Sequence, residues 1–294
     1  MKNVIVFLNG FRGISVIESI CKSKHEVIAI VTPSNTVGEI LRTIRSFNIN
    51  HLCLENINTE ESILQLKYFA PKLFIVAGFS TILKQEVLDI PQIGTINLHA
   101  GRLPDYRGGS PLNWQLINGE TEAGVSVILM DEGIDTGCVI AEDTFPITQN
   151  DSIADLHKKA NEAFPSLVLK ALNKLDVNDR NFTLQDENKA KYWHQRNDVD
   201  GKLDFEVMTM LEVDRMIRAL TKPYQGAWAS YEDKVVRFYA AKIPRIKIKG
   251  VPGRICYLQG QGPYVVCKDS AILIKKYNIE NKQRENIQHG KRFT

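Results

Sequence analysis

Short β-rich runs alternate with amphipathic stretches through the first half of the chain, and few folds are compatible with that order. The β-rich runs cover residues 4–8, 27–31, 73–77 and 95–98, and helices are expected from about Ile14 and Val37. Parallel strands joined by helical crossovers form one twisted sheet with helices on both faces, and ligands bind at its carboxyl edge. The sequence therefore predicts an α/β fold with a Rossmann-like, mostly parallel sheet.

A hairpin-like segment and a long helix are expected to complete this domain. Two strand-like runs within residues 125–145 flank a polar, glycine-containing loop. Residues 153–175 then carry apolar side chains at helical spacing, which predicts one long helix with Asp151 or Ser152 as its N-cap.

A polar break separates this part from the rest of the chain. Residues 176–192 are rich in Asn and Asp, which is typical of a connection across a surface. Beyond a helix expected at residues 207–220, short β runs are separated by Gly and Pro. We therefore predict a catalytic domain over residues 1–185, then a linker, a helix and a small β-rich domain over residues 186–294.

The composition excludes several classes of protein. Of the 294 residues, 44% are hydrophobic and 24% are charged, as in folded soluble proteins. The longest apolar runs, at residues 73–79 and 125–130, are far shorter than the roughly 20 residues of a spanning helix. The N-terminus reads as a strand, not as a secretory signal. The five cysteines show no C-x-x-C spacing, so we expect no disulfide framework, no structural zinc site and a cytoplasmic location.

Charge is distributed unevenly along the chain. Residues 242–292 contain 12 basic and 3 acidic residues, whereas the rest of the chain contains 25 basic and 31 acidic residues. A basic region of this kind is typical either of a nucleic-acid surface or of a solvated face, and the sequence leaves both interpretations open.

The polar residues best suited to catalysis lie at the end of the fourth β-rich run. Asn97 and His99 are two positions apart, so on a strand they face the same side. They precede the loop 100–109, at the edge where an open α/β sheet places its site. Asp135 lies in a glycine-bounded loop that can turn it towards a neighbouring strand end. An Asp that orients a His, with an Asn amide that donates to a developing oxyanion, forms a set for general-base chemistry.

Other interpretations of these residues remain open. A His satisfied by a backbone carbonyl and an Asp in a hairpin loop would have no chemical role. A nucleophilic Ser110, or a metal held by His99, Asp135 and Cys138, has no supporting spacing. Residues 10–13 lack the G-x-G-x-x-G pattern of a dinucleotide site. We therefore expect no metal and no dinucleotide cofactor.

Several motifs together carry a resemblance to a known family. The chain shows Asn97-x-His99, then a characteristic run at residues 102–126, and then Asp-x-Gly-x-Asp-Thr-Gly at residues 131–137. This order resembles the formyltransferases that use N10-formyltetrahydrofolate. Residues 76–79 and 218–227 are similar to the family's folate-pocket strand and second-domain segment, so the resemblance spans most of residues 1–230. It implies a formyltransferase with N10-formyltetrahydrofolate as co-substrate and no metal.

The resemblance also implies roles for individual residues. It makes Asn97, His99 and Asp135 the catalytic trio. The folate contacts that it implies are Phe79, Ser80, Ile82, Asp131, Gly133 and Ile134. The acceptor contacts that we expect are Lys84, Arg102, Tyr106, Arg107, Asn113 and Arg196. The chain departs from the family where Ser-Leu-Leu-Pro is replaced by Gly101-Arg-Leu-Pro, beside the site, where acceptor contacts can differ.

Family members formylate an amine on methionyl-tRNA, on glycinamide ribonucleotide or on a nucleotide-linked sugar. The tRNA enzymes carry a basic, glycine-containing insertion after the second strand, whereas residues 31–39 are short and contain no Lys or Arg. Residues 111–122 and 192–204 resemble sugar-nucleotide formyltransferases. The resemblance thus implies formyl transfer to the primary amine of a nucleotide-linked amino (dideoxy) sugar, as in lipopolysaccharide and O-antigen biosynthesis. Methionyl-tRNA formyltransferase is the alternative, with which the basic C-terminal region agrees.

The expected partners follow from this assignment. They are a nucleotide-linked amino sugar and folate, with no membrane, and with nucleic acid disfavoured. Two-fold dimers are the commonest oligomers, so a homodimer is the expected assembly. A folate-binding protein with an inactive site is a further alternative, which an intact trio disfavours.

Overall fold

A computed structural model describes residues 2–177, 181–280 and 286–294 of the chain. Parts of the predicted polar connection and of the basic C-terminal region therefore lie outside the described residues. The chain forms two compact units. The first unit comprises Met1–Gly108, Gly124–Phe145 and Lys158–Tyr192, and the second comprises Gly109–Ala123, Pro146–His157 and Trp193–Thr294. This division is interleaved along the chain, unlike the single boundary that we predicted at residue 185.

The first unit is built on a seven-stranded sheet. The strands of the first half of the chain are β1 (Asn3–Leu8), β2 (Glu26–Thr32), β3 (Asn50–Cys53), β4 (Leu73–Ala77), β5 (Gly94–His99), β6 (Arg107–Gly108), β7 (Glu122–Leu129) and β8 (Val139–Pro146). The order across the sheet is β3-β2-β1-β4-β5-β7-β8, and β6 lies outside it. Four adjacent pairs are parallel: β3 with β2, β2 with β1, β1 with β4, and β4 with β5. The strand β7 is antiparallel to β5. The predicted mostly parallel sheet is confirmed.

The helices that the sequence predicts from about residues 14, 37, 153 and 207 are present, and the described residues contain three further short helices. In chain order the helices are α1 (Phe11–Cys21), α2 (Gly38–Ser46), α3 (Glu60–Tyr68), α4 (Gln85–Leu88), α5 (Pro111–Ile117), α6 (Ile153–Asp176) and α7 (Met210–Leu220), with single 3-10 turns at Glu187–Lys189 and Val199–Gly201. The long helix α6 begins at Ile153, as its apolar spacing predicts. The helix α7 begins three residues later than predicted, because Thr209 caps it. The Thr209 hydroxyl accepts from the Glu212 amide, and the Glu212 carboxylate accepts from the Thr209 amide.

Burial explains why β1 and β4 can be predicted from the sequence and why β3 cannot. Residues 4–8 of β1 are all 0% exposed, as are residues 73–75 of β4. A parallel strand covered on both faces needs such a continuous apolar run. The strand β3 carries Asn50 and His51 and lies at the exposed edge of the sheet, so no apolar pattern predicts it.

The second unit contains an antiparallel five-stranded sheet, as the β-rich pattern predicts. The later strands are the two-residue β9 (Tyr192–Trp193), and then β10 (Ala227–Tyr231), β11 (Lys234–Lys242), β12 (Ile255–Leu258), β13 (Gln261–Val266) and β14 (Ala271–Ile279). The order of the five-stranded sheet is β10-β11-β14-β13-β12. Phe205, Phe238 and Phe293 form an aromatic cluster, with ring centroids 5.3 to 6.3 Å apart. Within the described ranges, every helix is too short or too polar to cross a membrane.

Candidate active site

Asn97, His99 and Asp135 meet at the carboxyl end of β5. Asn97 and His99 lie two positions apart on this strand, so their side chains leave the same face. The Asn97 amide donates from Nδ2 to Asp135 Oδ1 at 3.4 Å, and His99 Nδ1 lies 3.3 Å from Asp135 Oδ2. His99 is buried, and the other two residues are partly exposed. The structure thus brings together the three residues that we predicted to form a catalytic trio.

The backbone of Asp135 adopts an unfavourable conformation that neighbouring groups hold in place. Its φ is +55°, in the left-handed region that non-glycine residues rarely occupy. The Gly108 amide donates to Asp135 Oδ2 at 2.9 Å. The Gln185 side chain donates from Nε2 to the carbonyl oxygens of Asp135 and Gly137, at 2.8 and 2.7 Å. Gln185 lies in the polar connection, and the sequence analysis assigned it no role.

Arg107 is 0% exposed and supports Gln185. Its Nε donates to Gln185 Oε1 at 3.0 Å, and its Nη1 and Nη2 donate to the two carboxylate oxygens of Glu187 at 2.9 and 2.6 Å. Nη1 also donates to the Tyr192 hydroxyl at 2.8 Å. The hydrogen bond with Glu187 raises the pKa of Arg107, and the pKa of Glu187 is held below its ordinary value. Arg107 therefore has a structural role in holding Gln185, and the acceptor contact that the sequence analysis expects of it stays a prediction.

The second nitrogen of the His99 ring is also engaged. Nε2 lies 2.6 Å from the carbonyl oxygen of Tyr106. A carbonyl and a carboxylate only accept, so the ring donates to both only when both nitrogens carry a proton, and a neutral ring donates to one of them. A Cβ on Gly101 would stand 2.4 Å from His99 Nε2 and 2.7 Å from the Tyr106 oxygen. Gly101 therefore leaves the space in which the ring meets this carbonyl. Its own carbonyl accepts from the Ser126 hydroxyl at 3.0 Å.

The residues predicted to contact folate lie on two loops of the first unit. Phe79 and Met130 pack against the same buried cluster, which brings the loop after β4 and the loop after β7 to one core. Ile82 and Ile134 are 76% and 59% exposed, and Ser80 is also exposed. Their contact with folate stays a prediction.

A tight polar turn forms the second of these loops. Asp131 Oδ1 accepts from the Gly133 amide at 3.0 Å and from the Thr136 hydroxyl at 2.5 Å. A Cβ on Gly133 would lie 2.0 Å from the Thr136 hydroxyl oxygen, so only glycine fits there. The turn fixes the backbone immediately before Asp135.

Three further predicted acceptor contacts lie in the first unit. Lys84 is exposed at the residue before α4. Arg102 Nε lies 3.9 Å from Asp105 Oδ2. The side chain of Tyr106 is buried, and its carbonyl contacts the trio. The contact of Tyr106 with the trio is made by its backbone and not by its side chain.

The other two predicted acceptor contacts lie in the second unit. The Asn113 amide donates to the carbonyl of Ala219 at 2.8 Å and is buried. The guanidinium carbon of Arg196 lies 5.4 Å from the ring centroid of Trp114. Across the ranges that the structure describes, His, Cys, Asp and Glu side chains form no group of three or more that could hold a metal ion.

Comparisons with known proteins agree on the family. The formyl transferase domain matches residues 2–172, and the formyl transferase C-terminal domain matches residues 197–291. A methionyl-tRNA formyltransferase from Geobacter sulfurreducens is 32% identical over 269 residues, which cover 88% of this chain and 84% of that protein.

Solved structures of similar fold include two with folate compounds. The N-formyltransferase from Helicobacter canadensis, in complex with folinic acid and dTDP-3-aminofucose, has a TM-score of 0.71 at 21% identity, covering 95% of this chain and all 100% of that one. HypX from Aquifex aeolicus in complex with tetrahydrofolic acid has a TM-score of 0.68 at 21% identity, covering 96% of this chain. This chain spans 45% of the length of HypX. Because both domains match in order and the curated relative aligns over most of its length, the chain belongs to the formyl transferase family, as a folate-dependent formyltransferase.

Proposed function

We propose that the protein transfers a formyl group from N10-formyltetrahydrofolate to the primary amine of a nucleotide-linked amino sugar. Folate supplies the activated formyl group. A bond forms between the amine nitrogen and the formyl carbon, and the bond from that carbon to N10 breaks. The amine loses one proton and N10 gains one. The product class is an N-formylated sugar nucleotide, as used for surface polysaccharides such as O-antigen.

Each member of the trio has a role in this reaction. The Asn97 amide donates to the negative charge that develops on the formyl oxygen. His99 takes up the proton that the amine releases, and Asp135 fixes the orientation of the ring. As the base, a neutral His99 donates from Nδ1 to Asp135, and its Nε2 exchanges the Tyr106 carbonyl for the amine and accepts the proton there.

One observation favours a small acceptor over an RNA. The segment between β2 and α2 is short and contains no Lys or Arg. The side chain of Thr36 in this segment is 7% exposed and holds the loop together through two hydrogen bonds. The Thr36 hydroxyl lies 2.8 Å from the Pro33 carbonyl oxygen and 3.0 Å from Asn9 Oδ1. Contacts to an RNA backbone need cations that neutralise phosphates. A short loop without Lys or Arg cannot supply these phosphate contacts at the position where the tRNA enzymes carry their basic insertion.

A structure of similar fold supports the same acceptor class. The Helicobacter canadensis N-formyltransferase is described with dTDP-3-aminofucose and folinic acid together. At 21% identity this likeness concerns the fold, so it supports the proposal by showing that the fold accommodates both molecules.

Methionyl-tRNA formyltransferase is the second candidate, and sequence similarity favours it. Curated relatives from Geobacter sulfurreducens and Clostridium acetobutylicum, at 32% and 34% identity, carry that name. A basic segment on and after β11 is also exposed, with Lys242, Arg245, Lys247 and Lys249. Cations spaced along an open surface suit an RNA backbone.

The test is a direct assay of the full chain with N10-formyltetrahydrofolate and a panel of amino-sugar nucleotides. The expected result is release of tetrahydrofolate and a formyl-sized mass gain on one panel member. The product should be lost in His99→Ala and kept in His51→Ala, which removes an exposed histidine on β3. No product with any sugar nucleotide, together with formylation of methionyl-tRNA, would overturn the proposal in favour of the second candidate.

A further inference from the structure

The second unit contains a cavity of about 310 Å³ that is lined in part by the arginine side chain of Arg196. Residues from three short segments line it, among them Ser110, Asn113, Arg196, Asp198, Tyr224 and Gly226. Cavities of roughly 300 Å³ and above are the size of small-molecule sites, and one water molecule occupies only about 30 Å³. The cavity therefore has room for a polyatomic ligand.

Arg196 has unsatisfied donors in this cavity. Its Nε and Nη2 atoms are buried, and neither has a hydrogen-bond partner among the residues that the structure describes. Burial lowers the pKa of the guanidinium, an effect that Asp200 and Tyr224 oppose. A buried donor without a partner costs free energy, and more so when it is charged. An anion that accepts from Nε and Nη2 would remove this cost.

The guanidinium lies over an aromatic ring that is itself held in place. It lies 5.4 Å from the ring centroid of Trp114, and the Trp114 ring lies 4.9 Å from that of Trp193 at an angle of 34°. The Trp114 indole donates from Nε1 to the His194 carbonyl at 3.1 Å, which fixes the ring. A planar, fixed fork of N–H groups matches the paired oxygens of a phosphate.

The carboxylates near this cavity are already paired with other groups. Asp198 accepts from Arg237 Nη1 and Nη2 at 2.7 and 2.9 Å. Asp200 accepts from the Asn197 amide at 2.8 Å and lies 3.3 Å from His194 Nε2. Neither acid makes a described hydrogen bond with Arg196, so the cavity keeps a positive site that an anion can use.

We propose that this cavity binds the diphosphate of a nucleoside diphosphate, with Arg196 donating from Nε and Nη2 to its phosphate oxygens. The identification of the ligand as part of a formyl acceptor rests on the proposed function, whereas the anion site itself rests on the Arg196 geometry. An RNA backbone would need a row of cations on an open surface, whereas this site has one stacked guanidinium in a cavity.

The experiment is a calorimetric titration of the full chain with UDP, with dTDP and with inorganic pyrophosphate. In Arg196→Ala, binding of all three should weaken about tenfold or more, because a charge-assisted hydrogen bond is lost. In Arg196→Lys, which keeps the charge and loses the planar fork, binding should weaken to an intermediate degree. Arg245→Ala, which removes an equal charge from the exposed basic segment, should bind as the wild type does. Thermal unfolding checks that each variant is folded.

The outcomes separate this site from the proposed function. Wild-type nucleotide affinity in a folded Arg196→Ala variant would overturn the site, even if amino sugars are formylated. Binding that depends on Arg196, without formylation of any amino-sugar nucleotide, would keep the site and overturn the proposed function. A third outcome would overturn the site in favour of a nucleic-acid surface. In it, a short single-stranded RNA displaces the nucleotide, and Arg245→Ala loses as much nucleotide affinity as Arg196→Ala.

Discussion

The carbonyl oxygen of Tyr106 lies 2.6 Å from Nε2 of His99, at the ring nitrogen that does not face Asp135. The His99 ring thus lies between a carboxylate and a backbone carbonyl. The carbonyl reaches the ring because Gly101 has no side chain there. Gly101 stands where the family pattern has a serine, and here it leaves space for the His99 ring.

Gly101→Ala should lower kcat about tenfold or more, with little change in KM for either substrate, because its Cβ would displace the His99 ring from Tyr106. Steady-state kinetics measure the effect. Ala100→Gly is the matched control, since it loosens the neighbouring backbone without adding an atom. Wild-type kcat in Gly101→Ala would show that the ring does not need this orientation.

Asp135→Asn should reduce kcat by about 10² or more and leave KM within a few fold, because the amide orients the His99 ring less well than a carboxylate. The control is Asp143→Asn, an exposed acid on β8 that also loses one charge. Equal losses in both variants would mean that the effect comes from net charge and not from the trio.

Arg107→Lys should lower kcat and leave nucleotide affinity unchanged, because Arg107 acts on Asp135 through Gln185. A lysine cannot reproduce the fork that donates to Gln185, Glu187 and Tyr192. Gln185→Ala should give the same kinetic pattern, since it removes the donor to the Asp135 carbonyl. A rise in KM for the acceptor with unchanged kcat would instead support the acceptor contact that the sequence predicts for Arg107.

Asp176 should make folding stability depend on pH in the acid range. Burial raises its pKa, but hydrogen bonds from Lys2 and Lys24 and the charge of His25 outweigh burial and lower the pKa from 3.8 to about 2. The carboxylate therefore stabilises the fold above pH 4 by about 2 kcal/mol, and this contribution is lost as pH falls from 4 to 2. Asp176→Asn should lower the unfolding free energy by about that amount at pH 7. Denaturant titrations at pH 7 and at pH 2 measure the difference in unfolding free energy between wild type and variant. An equal difference at the two pH values would contradict this prediction.

The sequence predicts the trio better than it predicts what supports the trio. Asn97 and His99 are visible because strand alternation places them together, and Asp135 is visible through its glycine-bounded motif. Gln185 is hidden because its partner Asp135 is 50 residues away and its own segment has the composition of a surface connection. Arg107 looks like a free cation in the sequence, since nothing local shows that Glu187, 80 residues later, will pair with it.

The link from Arg107 through Gln185 to Asp135 limits where this chain can be recombined with a relative. The first domain match ends at residue 172, which makes that point an obvious junction for a chimera. A junction there would take Gln185 and Glu187 from the donor of the C-terminal half and separate them from the Arg107 with which they pair. A junction after Tyr192 keeps all partners of Arg107 in one parental segment. The short polar connection therefore has to come from the same parent as Asn97, His99 and Asp135.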